Sequence, residues 1–572
     1  MTASLSTAQP STPDRPWLAH YEAGVPAEIE IPDLTVDGLV RRAAREHGAR
    51  DALIFFGART SYAALDRAVD RFAHVLRGMG VQHGDRVSLH LPTSPAFVIT
   101  FMGALRAGAV VVPMSPLYVE RELGVLFEQT RPSVAVTLDA LVPRLRGMAG
   151  GAGVPERMIV TGIQDSLPIP IRWLYPIKAR RDGTWHPQPH SEATPNLFRL
   201  LGAAPSAPFA SAAVPDDLAL LQPTGGTTGT PKAAMLTHRN LVANAEQVSV
   251  WFPGAEEYPV VLAALPFFHI YGLTVDMNYA MLRAGSLVLL PRFDPHQVFE
   301  AISKHHPSFF PGAPIMYQTL ASHPDASKFD LRSIRACISG AAPLAPEVQN
   351  AFEGVTGGRV VEGYGLTEAA PVTHCNPVMG DRRNGTIGLP FPGTEARVVD
   401  PASGTPLAVG EVGELEVRGP QVMAGYWDRP EESAAVLRHG WLCTGDMARM
   451  SDDGYFTIVD RKKDLVIVGG MNVYPREVEE VLLAHPAVAE AAVIGVAEER
   501  HGEVPRAFVA LKPGASVTPE ELVQHCEANL ARFKVPRTIE LRPSLPKTMI
   551  GKVLRRDLRA EIEQEAAKDA DR

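Results

Sequence analysis

From Leu34 onward the spacing of hydrophobic positions changes repeatedly along the chain. Compact β-rich runs such as Arg86–Leu91 and Ala109–Pro113 predict strands, and the stretch Ser94–Gly108 between them predicts a helix. That alternation argues for an α/β architecture with mostly parallel sheets. Beyond about Asp400 the texture shifts. Glu414–Arg418 alternates in and out like a half-buried strand, Tyr455–Asp460 reads as another, and a dense charge run follows over Asp460–Asp464. Pro475 opens a helix with Val478, Val481 and Leu482 on one face. Thr518, Pro519 and Glu521 form a capping box with proline in the first turn. The pattern therefore predicts a flexible arm over 1–20, a large α/β domain over 21–460, and a compact α+β domain over 461–572. A hinge is expected in Arg461–Asp464.

Composition narrows the function classes. With 572 residues, 45% hydrophobic and 21% charged, the chain is globular and long enough for two or three cooperating units. A net charge of -9 speaks against non-specific nucleic-acid binding, which depends on neutralising phosphates. The cysteines Cys337, Cys375, Cys443 and Cys526 form no C-x-x-C pair, so neither a disulfide framework nor structural zinc is expected, and a reducing compartment is. The start, Met1–Pro16, shows no basic segment followed by an apolar core, so no secretory signal is read there. The apolar run Val260–Val275 contains Pro266, His269 and Gly272 and is too short to span a bilayer; it reads as core or pocket wall. The tract Leu167–Asp182, LPIPIRWLYPIKARRD, admits two readings: a patch touching a lipid surface, or a solvated connector with anchoring aromatics. Its three prolines speak against a continuous amphipathic helix, and the connector is favoured.

The strongest chemical signal is Leu221–Asn240, LQPTGGTTGTPKAAMLTHRN. Thr224, Gly225, Gly226, Thr227, Thr228, Gly229 and Thr230 form a glycine- and hydroxyl-rich loop, with Lys232 three residues after the last glycine. Glycines let backbone N–H groups approach a polyphosphate, and threonine hydroxyls add neutral donors. A flexible surface loop would explain the glycines but not the threonines and lysine set between two apolar runs. A Walker A loop requires a lysine directly after glycine, which is absent here.

This loop resembles the phosphate-binding signature of the adenylate-forming superfamily, which includes acyl-CoA synthetases, luciferases and peptide-synthetase adenylation domains. Pro223 and Ala233 depart from the usual flanking residues. Further resembling motifs follow in family order. LPFFHIYGL, Leu265–Leu273, is similar to the segment lining the acyl pocket, which implies Phe268, His269, Tyr271 and Gly272 at its carboxylate end. Phe267 stands equally as pocket or core. SGAAPL, Ser339–Leu344, resembles the adenine-side wall, implicating Gly340 and Ala341. GYGLTE, Gly363–Glu368, resembles the strand and turn in which Thr367 contacts the α-phosphate and Glu368 holds Mg2+, with Gly363 on the substrate side and Tyr364 and Gly365 on the nucleotide side. Thr444-Gly445-Asp446 resembles the motif whose carboxylate takes both ribose hydroxyls. DRKKD, Asp460–Asp464, resembles the hinge, with Arg461 on the ribose and Lys463 as pivot. PKTMIGKVLRR, Pro546–Arg556, resembles the C-terminal motif whose catalytic lysine is Lys552 by position.

The resemblance implies a large N-terminal domain of packed α/β subdomains and a small, mobile α+β C-terminal domain. It implies that Lys552 leaves the site after the first half-reaction while the Gly469–Gly470 loop approaches to admit a thiol. Within the superfamily, the arm PWLAHYEAGVPAEIEI, the tract LYPIKARRD and the phrase Asn472-Val473-Tyr474-Pro475 are similar to bacterial long-chain fatty-acid–CoA ligases. The implied reaction consumes a fatty acid, ATP and CoA, with Mg2+, and releases acyl-CoA, AMP and pyrophosphate. Its logic is physical: a carboxylate is a poor electrophile until adenylation supplies a leaving group, and fixed cations stabilise the charge gathering at the α-phosphate. An acyl-AMP ligase loading a carrier protein and an aryl-acid–CoA ligase of the coumarate type are the alternatives. A non-catalytic nucleotide-binding protein would need damaged motifs, yet Glu368, Asp446, Arg461 and Lys552 are all present. A cytoplasmic location, with peripheral contact at the inner membrane face, is expected, and a homodimer is the family-level expectation.

Overall fold

The computed structural model describes residues 15–181, 191, 194–224, 231–252, 255–469, 471–498, 502–547 and 553–570. They fall into two compact units. One comprises Tyr21–Glu395 and Arg418–Leu442; the other comprises the residues up to His20, Ala396–Val417 and Cys443–Arg572.

The larger unit is built on a seven-stranded sheet. Its order is Gly425–Tyr426, Lys232–Thr237, Leu218–Thr224, Val110–Pro113, Arg86–His90, Val134–Leu138 and Arg157–Thr161. The inner strands run parallel and are almost wholly buried, as sheets covered on both faces require. Leu218–Thr224 and Lys232–Thr237 pair antiparallel at the other flank. Two four-stranded sheets complete this unit. One has the order Ala58–Ser61, Asp51–Phe55, Ser286–Leu289, Val260–Ala263; the other, Ala336–Ser339, Arg359–Gly365, Val372–Cys375, Leu389–Pro390. The helix predicted over Ser94–Gly108 spans Pro95–Arg106 and is buried on every side. Ser94 caps it, its hydroxyl accepting the Phe97 N–H at 3.3 Å, and Pro95 fits the first turn, where no donor is needed.

In the smaller unit, strands Glu395–Val399, Gly413–Arg418, Trp441–Met450 and Phe456–Arg461 share one sheet. A second sheet orders Met471–Val473, Val466–Val468, Gly502–Leu511 and Val488–Glu498, with Thr538–Arg542 on the other side of Gly502–Leu511. Adjacent residues of the long hairpin point to opposite faces. Val493 and Val509 pack with Val478, Leu482 and Leu522, whereas Ala492, Ile494 and Phe508 pack with Leu545 and Leu558. The capping box forms as read: Thr518 Oγ1 accepts the Glu521 N–H at 3.2 Å, and Glu521 Oε2 accepts the Thr518 N–H at 2.8 Å.

Two expectations are corrected. The arm is not loose where it is described: Pro16–His20 make a 3-10 turn, and Trp17 is buried edge-to-face against Phe456, 6.2 Å between centroids. A buried indole removes far more apolar surface from water than the polar residues around it could offset by staying mobile. The tract 167–182 contains a helix, Ile169–Arg181. Pro168 and Pro170 precede or occupy its first turn, where a missing N–H costs nothing, and Pro176 alone sits inside.

The larger unit also buries a charge. Arg106, at the end of the buried helix, is 1% exposed. Its guanidinium donates to Asp37 at 3.1 Å, Asp66 at 2.7 Å and Asp70 at 3.0 Å, and to the Asp37 carbonyl at 3.1 Å. The fork geometry satisfies several acceptors at once. Arg106→Ala would take the guanidinium from buried Asp37 and leave Asp66 and Asp70 to share Arg41, with an expected loss of ~3–5 kcal/mol. Urea unfolding followed by tryptophan fluorescence checks this; a change within experimental scatter contradicts it.

Candidate active site

Thr224 lies directly opposite Lys232 in the antiparallel pair, so the glycine-rich loop leaves and re-enters the sheet at one point. The loop residues Gly225, Gly226, Thr227, Thr228 and Gly229 lie outside the described residues, as do Gly470 and Lys552. The frame around the loop is well defined. Gln129 Nε2 donates to the Pro231 carbonyl at 2.9 Å, and Trp427 Nε1 donates to the Gln129 carbonyl at 3.2 Å. Lys232 forms an ion pair with Glu432, and its ammonium lies 4.9 Å from the centre of the Tyr426 ring.

Tyr426 connects two sequence motifs far apart in the chain. Gly425–Tyr426 pairs with Lys232–Thr237, Tyr426 opposite Ala234. Its phenol donates to Glu368 Oε1 at 2.7 Å. Burial, then the neighbouring Glu368 charge, hold the phenolic proton on well above the usual tyrosine range. The Met423 N–H donates to the Glu368 carbonyl at 2.8 Å, fixing the backbone of the short turn Thr367–Ala369. Lys232 and Glu368 thus have Tyr426 as a common neighbour, with Thr224 across the ladder from Lys232 and Thr367 beside Glu368 in the turn. Neither Tyr426 nor Glu432 was singled out from sequence. They lie in a two-residue strand and a seven-residue helix, too short to show a period.

The predicted acyl segment divides. Phe267 is core: fully buried, with its ring edge-to-face on Phe97 at 5.7 Å. Phe268 and His269 are half-buried. The Phe268 carbonyl accepts from Gln222 Nε2 at 3.0 Å, tying it to the strand that enters the loop. His269 Nδ1 accepts the Tyr271 N–H at 3.2 Å, which places its proton on Nε2. The ring keeps some accessible surface but lies deep in the unit, and desolvation lowers its pKa to about 4. Tyr271 donates to the Ile338 carbonyl at 2.7 Å and lies against Gly340, where a Cβ would come 3.0 Å from its ring. Ala341 follows in the left-handed region at φ 72. Gly363, Tyr364 and Gly365 end the strand Arg359–Gly365, and the Tyr364 ring meets His374 at 6.0 Å. Gly272 begins a wide helical turn, Gly272–Asn278, buried throughout. Its Asp276 carboxyl has no hydrogen-bond partner among the described residues, and burial raises its pKa well above the usual range.

In the smaller unit, Asp446 stands opposite Arg461 in the ladder, 3.9 Å apart. Thr444 Oγ1 donates to the Leu415 carbonyl at 2.7 Å and accepts the Asp446 N–H at 3.2 Å. Gly445 between them takes φ 73, which glycine adopts without strain. The run Arg461–Asp464 is pinned. Lys462 donates to Glu414 at 2.7 Å, and buried Asp464 lies between Arg555 at 3.2 Å and Arg559 at 2.8 Å. The side chain of Lys463 is exposed. Gly469, at φ 56, sits in the turn between Val466–Val468 and Met471–Val473.

Family comparison decides what this arrangement belongs to. The model of the AMP-binding enzyme family matches residues 40–427, and that of the AMP-binding enzyme C-terminal domain matches 477–552. The chain belongs to the AMP-binding enzyme family. It is 43% identical to a long-chain-fatty-acid--CoA ligase of Bacillus subtilis over 95% of this chain and 97% of that one. It is 37% identical to the enzyme of the same name from Escherichia coli O157:H7, over 95% and 98%. Among solved structures, ATP-bound MatB from Rhodopseudomonas palustris superposes with a TM-score of 0.81 at 31% identity, covering 92% of this chain and 99% of that one. The adenylate-forming enzyme fold expected from the motifs is the fold observed.

Among the described residues no group of three or more His, Cys, Asp or Glu side chains forms a metal cage. The oxygen donors of Glu368 and Thr367 nevertheless suit Mg2+, which takes one or two carboxylates and completes its shell with substrate phosphates and water.

His269 shares its state with two other buried histidines of this unit, His90 and His374, each lowered to about 3 by burial. The unfolded chain takes up these protons near pH 6.5, whereas the folded unit does so only near pH 4 to 3. The stabilisation is therefore complete above pH 6.5 and declines as pH falls through that window, by roughly 1.4 kcal/mol per group per pH unit. Tm measured by calorimetry should drop between pH 7 and pH 5; an unchanged Tm contradicts this.

Proposed function

We propose that the protein activates a long-chain fatty acid with ATP and transfers the acyl group to CoA. The carboxylate oxygen attacks the α-phosphate, pyrophosphate leaves, and the acyl-adenylate forms; the CoA thiol then displaces AMP. The observation that carries this is the convergence of Lys232 and Glu368 on Tyr426 beside the strands that flank the hydroxyl-rich loop, in a family member similar over nearly its whole length to fatty-acid–CoA ligases.

In this reading Thr224 to Gly229 and Lys232 bind the phosphates, and Thr367 contacts the α-phosphate. Glu368 would hold Mg2+, which supplies positive charge to the phosphate oxygens when bound. Tyr426 orients Glu368 through its hydrogen bond. Gly340, Ala341, Tyr364 and Gly365 border the adenine, while Asp446 accepts the ribose hydroxyls with Arg461 beside it. Neutral His269, with Phe268, Tyr271, Gly272 and Gly363, borders the carboxylate end of the acyl site. Lys552 neutralises charge at the α-phosphate in the first half-reaction. Lys463 serves as pivot, and Gly469 and Gly470 admit the thiol in the second. Peripheral contact with a membrane, where fatty acids dissolve, belongs to the same reading, as does a homodimer.

Purified protein supplied with Mg-ATP, CoA and saturated acids of about six to eighteen carbons should release AMP and acyl-CoA in equal amounts. Absence of both across the panel overturns the proposal, and acyl-adenylate without thioester favours a carrier-protein acceptor. Lys552→Ala should slow adenylation by ~10²–10³-fold while affecting thioester formation from preformed acyl-adenylate much less. Equal loss in both half-reactions contradicts the role. Tyr426→Phe should slow adenylation by about 10-fold and raise the Mg2+ concentration needed for half-maximal rate, as expected when one charged hydrogen bond is lost. An unchanged Mg2+ requirement contradicts the orienting role.

A further inference from the structure

The wide helical turn Gly272–Asn278 is buried throughout, yet polar side chains recur in it at every second position: Thr274, Asp276 and Asn278 are each 0% exposed. Among the described residues neither carboxyl oxygen of Asp276 has a hydrogen-bond partner. Such a group is rare in a folded interior, because its lost hydration is not replaced unless something outside the chain completes it. Turns wound wider than an α-helix recur at functional sites.

Placement decides what would complete it. In a wide turn, residues four and five apart lie over one another, so Asp276 stands on the side of Gly272 and Tyr271. Thr274 and Asn278, two positions away, fall on the other side. Gly272 holds the turn against the predicted acyl segment: a Cβ there would come 2.8 Å from the Pro266 carbonyl and 3.0 Å from the Leu265 side chain. An ionised Asp276 would oppose ionisation of the Tyr271 and Tyr317 phenols, so it lies near both. Neither phenol has a proton to spare for it. Tyr271 donates to the Ile338 carbonyl at 2.7 Å, and Tyr317 to the Phe310 and Ile338 carbonyls at 2.9 Å. Burial raises the Asp276 pKa well above the usual carboxylate range, so the group is a neutral carboxyl. It has one O–H to give and oxygen lone pairs to receive. A purely aliphatic chain beside it would leave both unused, whereas a chain bearing an oxygen function would pair with it.

We propose that Asp276 selects fatty acids that carry a hydroxyl or oxo group on the acyl chain. This rests on the ligase reading above, in which Tyr271 and Gly272 border the carboxylate end of the acyl site, and it names the substrate class of that site. The acyl chain would reach Asp276 past Phe268 and His269, which keep accessible surface. Asp276 takes no part in the chemistry at the α-phosphate; it discriminates between acids by hydrogen bonding.

The full chain is assayed for AMP release with Mg-ATP, CoA and either dodecanoic acid or its hydroxy and oxo derivatives, the oxygen placed at successive carbons from the third onward. At neighbouring positions along the chain, kcat/KM should exceed that for dodecanoic acid at least ~10-fold. Asp276→Asn, which keeps a donor and an acceptor, should retain the preference. Asp276→Leu should abolish it and should use dodecanoic acid at least as well as the parent does. Because the carboxyl lacks partners inside the protein, Asp276→Leu should also melt no lower than the parent in calorimetry. A parent without preference at any position overturns the proposal and leaves the ligase reading standing, as does a preference that survives in Asp276→Leu. A Tm several degrees lower for Asp276→Leu assigns the carboxyl to the fold and overturns it too. Absence of AMP from every acid overturns the ligase reading, and this proposal with it.

Discussion

The pairing of two residues, Gly425–Tyr426, with the strand Lys232–Thr237 is the contact on which the candidate site depends. Without it, the lysine that follows the glycine-rich loop and the glutamate of the GYGLTE motif have no common neighbour. With it, the Tyr426 ring lies 4.9 Å from the Lys232 ammonium and its hydroxyl binds Glu368 at 2.7 Å. A cation and an anion are thereby held near one aromatic side chain without being paired to each other. Lys232 pairs with Glu432 instead. The ion pair with Glu432 and the Tyr426 ring thus fix the Lys232 ammonium from two sides, and Glu368 is fixed separately through the Tyr426 hydroxyl.

The same economy appears in how the chain buries charge. Arg106 ends an otherwise apolar helix and is surrounded by Asp37, Asp66 and Asp70, so helices distant in sequence are held by one guanidinium. In the smaller unit Arg555 does comparable work, donating to Glu479 at 2.6 Å, Asp460 at 3.0 Å and Asp464 at 3.2 Å. These clusters contribute modestly to net stability, since desolvation offsets much of the attraction, but removal of the arginine leaves buried carboxylates with fewer partners, Asp464 with Arg559 and Asp66 and Asp70 with Arg41. The second cluster also holds the charge run in place. In the DRKKD run Lys462 and Asp464 are both engaged, and Lys463 is the residue whose side chain stays exposed.

Much of the fold could be read from the residues. Ser94, Thr518 and Pro475 mark helix starts because capping is a local interaction within a few residues. The strands expected over 86–91 and 414–418 form, but the alternation read at Glu414–Arg418 does not give an exposed face: Glu414 and Glu416 are buried, paired with Lys462 and Arg397. Where tertiary contacts decide, local reasoning fails. Trp17 sits in a stretch that reads as a flexible arm, yet Phe456, hundreds of residues later, covers it. Prolines in the tract 167–182 read as helix breakers, but a proline in the first turn costs no hydrogen bond, and its position relative to the helix start decides its effect.

The sequence by itself determined the two-part α/β organisation, the ordered motifs and hence the family, because these depend on residue type and short spacing. Only the tertiary structure decided that Tyr426 links Lys232 to Glu368, that Phe267 belongs to the core while Phe268 does not, and that Asp446 stands across a ladder from Arg461. Those facts rest on which strands pair and in which register, and register is set by packing between segments far apart in the chain, which no local pattern encodes.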